Sequence, residues 1–115
     1  MNDKLKDKRC KACEGDVEPL SPEAVAELSG QLEAGWELSG DGLHIQRDFS
    51  FSGFYKTMNF VNAVAWIANT ENHHPDLEVG YGHCLVRYTT HAIGGLSEND
   101  FICAAKIDSL GACRT

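Results

Sequence analysis

The apolar runs of this chain stop after a few residues, far short of the eighteen or so that a bilayer requires. The opening stretch from Met1 to Arg9 is charged and lacks the apolar centre of an export signal. Phosphate-cradling glycine loops, dinucleotide fingerprints and nucleophile elbows are also missing, and Gly94-Gly95 reads only as a hinge. There is no internal repeat, no low-complexity segment and no basic surface. The first eleven residues carry +3 and the remainder −10, and a folded part that acidic repels a nucleic-acid backbone. What remains is 115 residues, 43 % hydrophobic and 23 % charged. That is the composition of one globular domain, able to bury roughly two-thirds of its unfolded surface without disulfides or metal. The protein is expected in the cytoplasm, with neither a membrane nor direct nucleic acid as partner.

Cysteine is present as an odd set of five in a chain without an export signal, so reduced thiols are the default. Cys10-Lys11-Ala12-Cys13 is only half of a four-ligand zinc site, and no second CxxC or spaced histidine pair follows. Nor does it stand between a strand and a helix, as a redox motif would. Residues 1–20 therefore read as a flexible tail bearing a thiol pair, and residues 21–115 as a single domain. Cys84 and Cys103 fall in periodic segments and read as small core residues.

Ser21-Pro22-Glu23 is a helix start, with Val25, Leu28 and Leu32 at helical spacing and Gly35 as the stop. Trp36 to Leu38 and Leu43 to Phe49 read as strands joined by Ser39-Gly40-Asp41-Gly42, with Leu43, Ile45 and Phe49 on one face and His44 exposed. A long helix is predicted over 52–71, with Phe54, Met58, Val61, Ala65 and Ala68 in one stripe, widened by Phe60, Val64 and Ile67. It must end before His74-Pro75. Leu77 to Gly80 and Cys84 to His91 form a second hairpin, the latter strand turning Cys84, Val86, Tyr88 and Thr90 to one face. Ser97-Glu98-Asn99-Asp100 opens a last helix with a capping-box pattern. The order α-β-β-α-β-β-α predicts an α+β fold: a four-stranded antiparallel sheet with helices packed on one face. Edge strands and the wide apolar face of the long helix predict a symmetric homo-oligomer.

His73, His74 and His91 all stand next to loops, and histidine is the side chain suited to proton transfer near neutrality. Adjacent histidines at a helix-to-extended junction can splay around a pocket. The same histidines with Asp100 also have the chemistry of metal ligands, a reading that spacing alone leaves open.

His73-His74-Pro75, followed by Tyr81, His91 and Asp100, resembles the signature of the pterin-4a-carbinolamine dehydratases. The flanks agree: Phe49-Ser50-Phe51-Ser52-Gly53-Phe54, Thr90-His91, and Gly95-Leu96-Ser97-Glu98-Asn99-Asp100. The likeness extends over about residues 21–110, and Asn69 stands where members commonly carry an acid. It implies a hydro-lyase that needs no cofactor. The substrate would be 4a-hydroxytetrahydrobiopterin, dehydrated to quinonoid dihydropterin in the recycling of the aromatic amino-acid hydroxylase cofactor. His73, His74 and His91 match the family's active-site histidines: His73 and His91 as an acid/base pair and His74 orienting the pterin. Pro75 and Asp100 fall in the substrate-binding part of the pattern, and no metal is implied. A homodimer or homotetramer is expected. Some animal members also serve as dimerisation cofactors of a homeodomain transcription factor, so the alternative is a non-enzymatic interaction protein of the same fold.

Overall fold

A computed structural model describes residues 4–11 and 18–111. Ser21 caps α1 (Pro22–Ser29), its hydroxyl accepting the Ala24 N–H at 3.2 Å with Pro22 in the first turn. The helix stops six residues before Gly35, the expected end. Gln31 and Leu32 donate to the third rather than the fourth carbonyl back, and the Glu33 N–H leaves for the Asp108 carboxylate at 3.0 Å. Gly35 instead serves a close approach. Its φ is +114°, and a Cβ there would lie 2.9 Å from Arg47 Nε.

The sheet runs β1 (Glu37–Leu38), β2 (Ile45–Ser50), β4 (His83–Tyr88), β3 (Asp76–Val79), antiparallel throughout. This is the α+β arrangement expected. Asp41 builds the first turn, accepting from the Ser39 hydroxyl at 2.6 Å and the Leu43 N–H at 3.0 Å. Leu43 therefore belongs to the turn and is exposed, not on the core face of β2. Between the buried Ile45 and Phe49, the inward position is Arg47. Its guanidinium lies 4.5 Å from the centre of the Phe49 ring and 3.0 Å from Asp108 Oδ1.

The long helix, α2, spans Phe54–Glu71. Its buried stripe is Thr57, Phe60, Val64, Ile67 and Ala68, whereas Phe54 and Ala65 face outward. The face called the widening in the sequence is thus the packed one. Phe60 meets Phe49 at 4.6 Å and Phe51 at 5.0 Å between ring centres. Asn72 ends the helix in the left-handed region (φ 52°), as its short polar side chain allows. In β4, Cys84, Val86 and Tyr88 face the core as the alternation predicted. The strand ends at Tyr88, however. Thr90 bridges only to Gly95, and His91–Ile93 form a 3₁₀ turn, so His91 is a loop residue rather than a strand end. The last helix, α3 (Glu98–Asp108), buries Phe101, Ile102, Ala104 and Ile107 against the same face of the sheet as α2.

The described part of the N-terminal segment, residues 4–11, packs against the domain. Leu5 joins the core, Lys8 pairs with Glu98 at 2.7 Å, and Arg9 pairs with Glu71 at 3.0 Å. Glu71 also accepts the Cys10 N–H at 2.8 Å, and the Asn99 amide bonds both backbone groups of Lys11. A basic stretch that looks solvated by composition finds acidic and amide partners sixty to ninety positions away. Cys13 and Cys113 lie outside the described residues.

Asp108 gathers the Trp36 indole N–H at 2.8 Å, the Glu33 N–H and Arg47. Replacing it strands three donors in a nearly dry place. Asp108→Ala is expected to lower unfolding free energy by about 3 kcal/mol, read as an earlier urea midpoint with an unchanged slope.

Candidate active site

The end of α2, the loop after β4 and the start of α3 converge at one end of the sheet. The left-handed turn at Asn72 separates the two adjacent imidazoles: His73 turns inward, its side chain only 12 % exposed, and His74 remains exposed. The 3₁₀ turn presents His91 to the same cavity. His73, His74 and His91 line one open cavity of about 340 Å³, together with Asn72, Thr89, Thr90, Ala92, Asn99 and Lys11. That volume lies at the lower end of the range for small-molecule sites. A larger hollow of about 430 Å³, between the N-terminal segment and Asp108, contains no histidine, and its buried carboxylate is already bonded to three donors.

Asp100 does not line the cavity. It is fully buried beneath His73, with Oδ1 2.6 Å from His73 Nε2. Its other oxygen accepts the Thr90 hydroxyl at 2.8 Å and the Ser97 N–H at 3.0 Å. The capping role and the role beside the site are therefore one role. Every oxygen of Asp100 is committed to protein groups, which leaves it to hold a histidine rather than a substrate. Pro75, the other position assigned to substrate, is half-buried at the entry to β3 and is not among the cavity's lining residues.

Tyr88 backs His73 from the other side, with ring centres 5.5 Å apart and planes within 8°. Burial works against a charged imidazole here, but the hydrogen bond and charge of Asp100 outweigh it and raise the His73 pKa above its ordinary value. His73 thus keeps its proton further into the neutral range than a free histidine. Asn69, the position at which an acid was looked for, is exposed on α2, and the acid comes from α3 instead. Among the described residues, no group of three His, Cys, Asp or Glu side chains comes together as a metal-binding set.

Sequence reasoning missed Lys11, Asn99 and the backing Tyr88. Tyr88 was legible in part, because strand alternation sets it on the inner face with Thr90. Nothing local signals Lys11, which reaches the site only because Asn99 bonds its backbone across 88 positions.

The ion pair has a directional consequence for stability. Because folding raises the His73 pKa, the pair's contribution is complete below the unfolded value of about 6.5 and is lost as pH rises through the higher folded value. Urea unfolding across about pH 6 to 9 is expected to show this decline in the natural protein. In Asp100→Asn the decline should be flattened.

A sequence profile of the family described as Pterin 4 alpha carbinolamine dehydratase matches residues 18–110. A relative from Nitrosomonas eutropha, named as a candidate pterin-4-alpha-carbinolamine dehydratase, is 60 % identical over 106 residues, 92 % of each chain. One of the same name from Legionella pneumophila is 56 % identical over 110 residues, covering 96 % of this chain and 97 % of that one. Among solved structures, a transcriptional coactivator/pterin dehydratase from Brucella melitensis superposes with a TM-score of 0.76 at 26 % identity, over 85 % of this chain and 100 % of the other. A pterin dehydratase-like protein identified as a RuBisCO assembly factor in the alpha-carboxysome shares the fold, with a TM-score of 0.60 at 22 % identity, over 68 % and 90 %. With the profile spanning the whole described domain and relatives alike over nearly their full length, this chain belongs to the pterin-4a-carbinolamine dehydratase family.

Proposed function

We propose that the protein is a hydro-lyase that dehydrates 4a-hydroxytetrahydrobiopterin to quinonoid dihydropterin. The observation that carries this reading is the meeting of three imidazoles on one cavity, one of them bonded to a buried carboxylate. The reaction asks for little else. The lone pair on N5 of the pterin expels the C4a hydroxyl once that oxygen is protonated, and a second group accepts the proton released from the ring.

His73 suits the acid role. With Nε2–H donated to Asp100, its other ring nitrogen is left for the leaving oxygen, and the raised pKa favours a proton there. Asp100 acts as a positioning residue, fixing the ring and its tautomer. His91, which lines the same cavity from the 3₁₀ turn, is the acceptor of the ring proton, and His74 orients the heterocycle. The protein works in the cytoplasm as a homodimer or homotetramer, without direct nucleic-acid binding. The association is supported by exposed aromatic surface on α2, where Tyr55 is 80 % and Trp66 68 % accessible. A non-enzymatic interaction protein is the alternative, since this fold also carries an assembly factor. The histidine cavity favours the enzyme.

The direct test couples a hydroxylase that makes the carbinolamine to spectroscopic detection of quinonoid dihydropterin. The protein should accelerate its appearance. His73→Ala and His91→Ala should each lose at least about 100-fold in rate with unchanged circular dichroism. Full activity in both variants rules the mechanism out, and absence of catalysis by the natural protein favours the interaction reading. Light scattering at micromolar concentration should return a multiple of 12.6 kDa, and a monomer there ends the oligomer proposal.

A further inference from the structure

Two sulfurs play no part in the chemistry above, yet they face each other directly behind it. Cys10 Sγ lies 3.5 Å from Cys103 Sγ, across 93 positions of sequence. Both sides of the contact are held. Cys103 is fully buried on α3, the Cys10 N–H is fixed by Glu71, and the neighbouring Lys11 is fixed by Asn99. Cys10 alone of the two reaches solvent. Beside them is the buried Tyr88 hydroxyl, which interacts with Cys103.

We propose that Cys10 and Cys103 form a reversible disulfide when the protein meets a hydroperoxide, tying the N-terminal segment to α3 at the rim of the histidine cavity. In the first step Cys10 Sγ attacks one peroxide oxygen. The O–O bond breaks, the other oxygen leaves as water or an alcohol, and Cys10 becomes a sulfenic acid. Cys103 Sγ then attacks the Cys10 sulfur. The S–O bond breaks, the S–S bond forms, and the hydroxyl leaves with the Cys103 proton as water. Two thiols lose two electrons in total and one peroxide gains them. A small dithiol reverses the bond.

The surroundings favour the second step. The hydrogen bond with Cys10 holds the Cys103 thiol below its ordinary value despite burial, helped by the nearby His73. The same contact and burial push Cys10 up, although Cys10 is the one with exposure. Passing the Cys10 proton across the contact leaves the exposed sulfur as the nucleophile of the first step. Cys84, by contrast, is pushed up to about 11 by burial and by Asp48, and has no sulfur partner among the described residues.

The test uses the full chain, hydrogen peroxide, alkylation of the remaining thiols and non-reducing peptide mass mapping. A peptide joining Cys10 to Cys103 is expected, with the whole-protein mass lower by two hydrogens and restored by dithiothreitol. Cys13→Ser should give the same cross-link, and Cys10→Ser should abolish it. Joining of Cys10 to Cys13 or Cys113 in the natural protein, or oxidation to sulfinic acid with no cross-link, overturns the proposal. The readout is mass, so the result is independent of whether the dehydratase assay succeeds.

Discussion

Asp100 is a carboxylate with no access to water, and three separate parts of the chain are tied to it. It accepts the Ser97 N–H that opens α3, the Thr90 hydroxyl that follows β4, and the imidazole of His73 that follows α2. A buried charge is tolerated only where its lone pairs are used, and breaking one of these bonds would leave it uncompensated. The satisfaction of one carboxylate therefore fixes the relative positions of two cavity walls and the floor between them. It also raises the His73 pKa, so the constraint that shapes the cavity bears on the proton held there as well.

A second buried carboxylate does comparable work at the far end of α3. Asp108 draws in Trp36, the Glu33 backbone and Arg47, anchoring the first hairpin and cutting α1 short. The helix that carries both acids is thus bonded at one end to the segments after α2 and β4 and at the other to β2 and the segment before β1. Between them, Phe101, Ile102, Ala104 and Ile107 supply the apolar contact. The N-terminal segment uses the same helix as a landing surface, through Leu5, Lys8 and Lys11.

The three histidines differ in their surroundings, and the proposed division of labour rests on that difference. His73 is clamped between Tyr88 and Asp100, while His74, in the connection to β3, and His91, in a 3₁₀ turn, stay exposed. One held imidazole and two accessible ones suit a reaction that delivers a proton at one atom and collects one at another. The family's fold also carries a protein identified as an assembly factor, so the argument for chemistry rests on this cavity and not on the architecture.

Periodicity and punctuation were enough to determine the element order, the antiparallel sheet and the inward face of β4, because side-chain alternation and helix capping are local. Ser21-Pro22, the end of α2 at Glu71 and the Ser97–Asp100 pattern are all legible within a few residues. The histidines were visible as residues, and the family resemblance grouped them. Only the tertiary structure decided that Asp100 serves His73, that Arg47 turns inward on β2, and that Lys11 and Cys10 lie against α3. Each of these is a polar or thiol contact between residues from 27 to 93 positions apart. Such contacts leave no period in the sequence, since their partners are chosen by where the packed elements bring them.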